Sequence, residues 1–262
     1  MHISRRLFSC AVIASMTPLA ARARTILATV PIARTDLPWW RERHQAKLRE
    51  LEQKRPQLIF LGDSITQNWE RSGPPAWQDF APEWQRFYGL RNAVNLGFKG
   101  DTTASLIWRI RNGEVAGIAP RAAVILIGAN NLGRVHWSAD DTVMGIDTII
   151  SELRHRLPAT RILLLSVLPS DRSSWVSEST IHINRALAAK YPTPPYHEGQ
   201  PVTFLDVTHV FMRDGKLDRD AFLDGHLTPP EPLLHPTAQA QAAMARAMEP
   251  VLSAMLHDKP VS

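Results

Sequence analysis

Cysteine is almost absent: Cys10 is the only one in 262 residues. That excludes a disulfide framework and cysteine-ligated metal, and it leaves the chain past residue 23 without a thiol nucleophile. Long apolar runs are missing as well. Outside the N-terminus nothing approaches the ~18 uninterrupted apolar residues of a membrane-crossing helix. No stretch repeats at a period of roughly 20–50 residues, which excludes a solenoid or propeller. No glycine-rich phosphate loop follows the first strand-like run, which counts against a flavodoxin-like nucleotide binder. The net charge is +5, but residues 1–23 carry Arg5, Arg6 and Arg22 and no acid, so removing those three leaves +2. A body so near neutrality gives no electrostatic reason to expect nucleic acid. What the chain does have is an ordinary globular mix, 44% hydrophobic and 21% charged. Its length supports a sizeable core without disulfides.

Residues 1–23 read as an export signal. Arg5-Arg6 form a basic start, residues 7–20 are moderately apolar, and Ala21-Arg22-Ala23 offers small residues where a signal peptidase cuts. Ser4-Arg5-Arg6-Leu7-Phe8 also resembles a twin-arginine motif, although Ser9 departs from the apolar residue usual there. Leu7-Phe8-Ser9-Cys10 is a poor lipobox, because the cysteine precedes any adequate apolar segment. The expectation is a periplasmic or secreted protein with no stable membrane anchor.

Residues 24–35 show no periodicity and are expected to form an extended lead, and residues 36–262 a single domain. Asp36-Leu37-Pro38 marks a helix start. Short apolar runs at 58–61, 93–96, 122–127, 161–167 and 202–206 then alternate with helical stretches at 103–111, 139–156 and 180–190. A last helix is expected at 237–257. The runs lack polar alternation, as strands covered on both faces do. Strand–helix alternation of this kind predicts an α/β fold, a three-layer α/β/α sandwich with a five-stranded parallel sheet. Ligands bind such sheets outside the carboxyl ends of the strands.

Three of those ends are distinctive: Gly62-Asp63-Ser64-Ile65-Thr66, Gly97-Phe98-Lys99-Gly100-Asp101-Thr102 and Gly128-Ala129-Asn130-Asn131. Leu234-His235-Pro236 precedes the last helix. Each alone reads as a turn or cap. Together and in this order they resemble the SGNH hydrolases, or GDSL esterase/lipase family. The likeness is to the branch of the platelet-activating-factor acetylhydrolase subunits and related bacterial acylhydrolases, and it spans residues 36–257. The resemblance implies Ser64 as nucleophile, Gly100 and Asn130 as oxyanion donors, His235 as base, and an SGNH/flavodoxin-like sheet. Serine chemistry fits those residue types. A hydroxyl needs a neutral imidazole to take its proton, and a tetrahedral oxyanion needs fixed donors. The Gly-x-Ser-x-Gly elbow of the α/β-hydrolases is missing, since Thr66 stands where its last glycine would be. Asp63 reads as a residue that ties down its own turn.

The pattern departs in one place. The family's final block is Asp-x-x-His, yet Pro232 stands three residues before His235. Asp224-Gly225-His226 is a competing block one residue short. The expected start of the last helix favours His235 over His226. Asp224 could then fold back to orient the imidazole; Glu231 or a backbone carbonyl are the alternatives. His44, His155 and His182 are expected to be solvated, and no histidines stand at metal-ligand spacing. Trp69 and Trp77 are candidates for the pocket wall. The resulting expectation is an exported serine esterase needing no metal or cofactor. Its substrate would be a small ester or acetylated carbohydrate, with acetyl above other acyl groups. An O-acyltransferase on the same fold and a weakly catalytic polysaccharide-binding module are the alternatives. The sequence carries no sign of oligomeric state.

Overall fold

The computed structural model describes residues 24–261, so the export-signal expectation lies outside the described residues. Strands β1 (Leu58–Gly62), β2 (Ala93–Gly97), β3 (Ala122–Leu126), β4 (Arg161–Leu165) and β5 (Val202–Leu205) form one parallel sheet in the order β2-β1-β3-β4-β5. Leu58 pairs with Ala93 on one side and with Ala122 on the other. The chain therefore turns one way after β1 and the other way after β2. The resulting switch point opens a crevice at the carboxyl ends of β1 and β3.

Both faces of the sheet are apolar because both are covered. Leu58, Phe60 and Val124 face α3 (Ala81–Tyr88) and α8 (Ala238–Leu256). Ile59, Leu61 and Ile125 face the other layer, built by α1 (Pro38–Lys54), α4 (Thr103–Arg109), α6 (Ala139–Arg156) and α7 (Ser174–Lys190). In α1 the buried residues are Trp40, His44, Lys47 and Leu51. That spacing puts them on one stripe of a helix. His44 is therefore not solvated as expected. It is 7% exposed, stacks on Trp40, meets Trp108 edge to face, and donates from Nε2 to Asn112 O at 3.1 Å. Burial lowers its pKa.

Several boundaries differ from the sequence reading. Helix α7 starts at Ser174, six residues early, because the Ser173 side chain caps it by accepting from Val176 N. Helix α4 stops at Arg109 and a wide turn, Ile110–Glu114, follows, with Gly113 at positive φ. Helix α3, the short α2 (Ser64–Gln67) and α5 (Ala129–Gly133), and a small hairpin of β6 (Met212–Arg213) and β7 (Lys216–Leu217) were not expected. Such pieces are too short for a periodic signal. The lead at 24–35 is not bare extended chain. It holds a 3-10 turn at Leu27–Thr29 and lies on α4, with Ile32 N donating to Ala104 O and Thr103 Oγ1 to Ala28 O. No helix among the described residues is long and apolar enough to cross a membrane.

Candidate active site

Ser64 is the first residue of α2, directly beyond β1. Its N-cap is Asp63, whose Oδ1 accepts from Ile65 N at 2.9 Å. A first helical residue has no intrahelical acceptor for its own N–H, so that donor is left for another group. The turn is pressed tightly against β2. A Cβ built on Gly97 would lie 2.2 Å from Gln67 N, so only glycine fits there. Asn95 Nδ2 donates to Thr66 O at 2.8 Å and joins the two elements further.

Ser64 Oγ and His235 Nε2 are 3.1 Å apart. The ring's other nitrogen, Nδ1, is 3.0 Å from Asp224 Oδ1. The second oxygen of Asp224 accepts from Leu234 N at 2.7 Å and from His235 N at 2.6 Å. One carboxylate thus holds both the imidazole and the backbone that carries it. Burial pushes the Asp224 carboxyl up, but hydrogen bonds from the His235 ring and from the His235 and Leu234 N–H groups outweigh it and leave its pKa lowered. The segment is pinned by Leu223 N donating to His235 O at 2.7 Å and by a bridge between Phe222 and Pro236. Thr237 then caps α8, accepting from Ala240 N.

The other candidates separate from this set. His226 donates from Nε2 to Asp220 O at 3.2 Å and stacks on Trp77, ring centroids 5.3 Å apart. Glu231 meets Asp224 only through its backbone, N–H to the Asp224 carbonyl. Trp69 is 2% exposed and packs in the core against Phe80, Trp84 and Tyr88, so it is no pocket wall. His155 and His182 are exposed, as expected.

Gly100 and Asn130 come from the ends of β2 and β3. Gly100 has φ 77°, a conformation that glycine adopts without Cβ strain. Asn130 Nδ2 donates to Asp101 O at 3.0 Å and reaches Asp63 Oδ2 at 3.4 Å. That amide therefore lies between the Ser64 turn and the Gly100 loop. Beneath them Asp101, 0% exposed, accepts from Trp40 Nε1 at 2.8 Å, Arg34 Nη1 at 2.9 Å and Arg109 Nε at 2.8 Å. Arg109 also donates to Glu114, Leu96 O and Gly62 O. Burial alone would lower its pKa, but Glu114 and Asp101 raise it. The sequence reading passed over Trp40, Arg34 and Asp101 as site residues. Trp40 and Asp101 are 61 positions apart, and no local pattern joins them.

Asp63 is 1% exposed, and burial pushes its carboxyl up to about 6, against the opposing effects of Ile65 N–H and the nearby His235. A cleft of about 540 Å³ beside Ser64 is lined by Gln67, Asn68, Glu70, Arg71 and Lys99. Among the described residues, no three or more histidine, cysteine, aspartate or glutamate side chains are grouped to hold a metal ion. Chemically, the set offers a hydroxyl on an imidazole on a carboxylate, with the Asn130 amide reaching Asp63 beside Ser64 and the Asp101 carbonyl beside Gly100. That suits acyl transfer.

Residues 60–243 match the model of the GDSL-like lipase/acylhydrolase family. The chain is 26% identical over 238 residues to a platelet-activating factor acetylhydrolase IB subunit alpha2 from Gallus gallus, covering 89% of this chain and 93% of that one. A GDSL-like lipase from Bacteroides thetaiotaomicron superposes with a TM-score of 0.57 at 17% identity, over 82% of this chain and 96% of that one. An acetyl-xylooligosaccharide esterase variant from a Geobacillus superposes with a TM-score of 0.53 at 16% identity, over 79% and 96% of the two chains.

Proposed function

Because this chain belongs to the GDSL-like lipase/acylhydrolase family, whose members act on esters, we propose that it is an exported serine esterase that removes short acyl groups, acetyl above all, through Ser64, His235 and Asp224. The single observation that carries the reading is the hydrogen-bonded line from Ser64 Oγ through His235 to Asp224. Ser64 Oγ attacks the ester carbonyl carbon as His235 Nε2 takes its proton. Asp224 accepts from Nδ1–H, fixes the tautomer and stabilises the imidazolium. The carbonyl oxygen becomes an oxyanion facing Ser64 N–H, Gly100 N–H and the Asn130 amide, whose long contact to Asp63 is the one readily given up. The C–O bond then breaks, His235 returns the proton to the leaving alkoxide, and an acyl-Ser64 ester remains. Water, deprotonated by His235, attacks that ester and frees the acid and Ser64.

The acetyl preference is supported by the acetylhydrolase and acetyl-esterase activities that the avian relative and the Geobacillus neighbour are named for, and by a cleft beside Ser64 whose lining side chains carry polar or charged ends. An acetylated carbohydrate is the natural substrate class this suggests. Export rests on the composition of residues 1–23. The missing acid at position 232 is the feature that feeds the alternative of a weakly catalytic binding module, and Asp224 beside the His235 ring counts against that alternative.

The test is a fluorophosphonate probe with mass spectrometry of the adduct, alongside turnover of p-nitrophenyl acetate in chelator. The expected result is modification of Ser64 and an unchanged rate in chelator, with no turnover by a folded Ser64→Ala variant. Near-wild-type turnover by that variant refutes the assignment.

A further inference from the structure

Residues 98–101, the loop that carries Gly100, form a type II turn. Asp101 N donates to Phe98 O at 3.1 Å, and Gly100, third of the four residues, has φ 77°. The central peptide of this turn joins Lys99 to Gly100, so the Lys99 carbonyl and the Gly100 N–H lie in one plane and point opposite ways. Neither takes part in the turn's own hydrogen bond, and a flip of that one plane is what separates a type II turn from a type I turn. Among the described residues the Gly100 N–H meets no acceptor, whereas the Lys99 carbonyl meets one donor, Arg34 Nη1, at 2.8 Å.

Arg34 has no place in the line from Ser64 to Asp224, and it stands outside residues 60–243, which match the family. It is nevertheless built into this loop. The same Nη1 donates to Asp101 Oδ1 at 2.9 Å, so one nitrogen holds the residues before and after Gly100. A Cβ built on Gly100 would lie 3.2 Å from Arg34 Nη2 and 3.3 Å from Nη1, which puts the guanidinium against the bare α-carbon. The stretch that carries Arg34 is itself fixed. Ile32 N donates to Ala104 O at 3.1 Å, Thr103 Oγ1 donates to Ala28 O at 2.8 Å, and Ala28 is 1% exposed. None of these anchors uses the Arg34 side chain. Without Arg34, Asp101 still accepts from Trp40 Nε1 and Arg109 Nε, both at 2.8 Å. A change at position 34 therefore frees the peptide plane without dismantling the loop. A cation on the Lys99 carbonyl also polarises the peptide and makes the N–H on its far side a stronger donor.

We propose that Arg34 is a positioning residue for ester hydrolysis: it holds the Lys99–Gly100 peptide so that the Gly100 N–H faces the oxyanion. This rests on the esterase reading above. The test compares p-nitrophenyl acetate with p-nitrophenyl thionoacetate, whose sulfur accepts hydrogen bonds poorly, in wild type, Arg34→Gln and Arg34→Lys. Losing an oxyanion donor outright costs ~10²–10³-fold in kcat, so a donor kept but free to turn away should cost roughly tenfold. For Arg34→Gln the expected result is that fall in kcat on the oxygen ester with KM within about twofold, and an oxygen-to-sulfur ratio of kcat that falls by about as much. Arg34→Lys keeps the charge on a single donor and should lie between Arg34→Gln and wild type. A merely structural role would slow both esters alike and leave the ratio unmoved. A folded Arg34→Gln with wild-type kcat, with an unchanged ratio, or with a raised KM in place of a lowered kcat overturns the proposal and leaves the esterase reading intact. If Arg34→Gln does not fold, an unchanged ratio in Arg34→Lys overturns it in the same way. No turnover of either ester by the wild-type protein would overturn the esterase reading instead.

Discussion

Replacing Asp63 with asparagine converts the electrostatics of the nucleophile turn into a stability measurement. The carboxyl is buried, and burial raises it from 3.8 to about 6. Its folded-state pKa lies above its unfolded value, so between those two pH values the folded state holds the extra proton. Stability therefore falls as pH rises through that window and stays reduced above it. The cost of this one group is about 3 kcal/mol at pH 7.5 and about 1 kcal/mol at pH 4.5. An asparagine keeps an oxygen for Ile65 N–H and preserves the cap. Its NH₂ group would meet the donor of Asn130 that now reaches Asp63. That penalty is independent of pH, so the informative quantity is the difference between two pH values. Urea denaturation of both proteins at pH 4.5 and 7.5 should show Asp63→Asn gaining about 2 kcal/mol on wild type between them. Titrating groups that do not interact with Asp63 are common to both proteins and cancel. Curves that run parallel within about 0.5 kcal/mol, or a variant that loses ground at pH 7.5, would refute the reasoning, because the carboxyl would then titrate alike in both states.

His235→Ala should lower kcat at least ~10³-fold, as losing Ser64 would, while His226→Ala should cost less than about tenfold. The reverse pattern would make Asp224-Gly225-His226 the catalytic block. Asp224→Ala should fall between these two in kcat and also loosen the Leu234–His235 backbone, read as faster hydrogen exchange there; rigid backbone in the variant would contradict the double anchoring. Asn130→Ala should lower kcat by roughly 10²–10³-fold with little change in KM, since the oxyanion contact strengthens only in the transition state. Unchanged kcat with raised KM would make Asn130 a ground-state binder instead. Lysines at positions 5 and 6 should block or slow periplasmic accumulation, and unimpaired accumulation would assign export to the general secretory route.

The sheet was legible because each strand is a short run with no polar alternation, and 58–61 differs from the observed β1 by a single residue, Gly62. The strand order and its switch point are not stated by those runs, and Ser64, Gly100 and Asn130 were located from where their strands stop together with the family resemblance. Asp224 was only half legible. Its reach to His235 depends on how the segment between them folds, and no spacing rule states that. The network under Gly100 was not legible at all. Trp40 reads in sequence as one residue of a charged helix, and only packing turns its Nε1 towards Asp101. His44 misled for the same reason. The polar residues around it hide a buried stripe that only the aromatic rings packed on it, Trp40, Trp108 and Phe98, make sense of.

Because Asp224 grips ring and backbone at once, the number of residues between acid and base ceases to matter to the chemistry. The stretch from Leu227 to Pro232 is solvent-exposed, while Leu233 re-enters the core at 2% exposure with its N–H on Asp171. Doubling the length of a flexible span adds only about 0.6 kcal/mol of closure entropy. The rim of the proposed catalytic centre thus contains a splice point. Foreign segments of varied length can be grafted at 227–232 to reshape what approaches Ser64, with the proton path left as it stands.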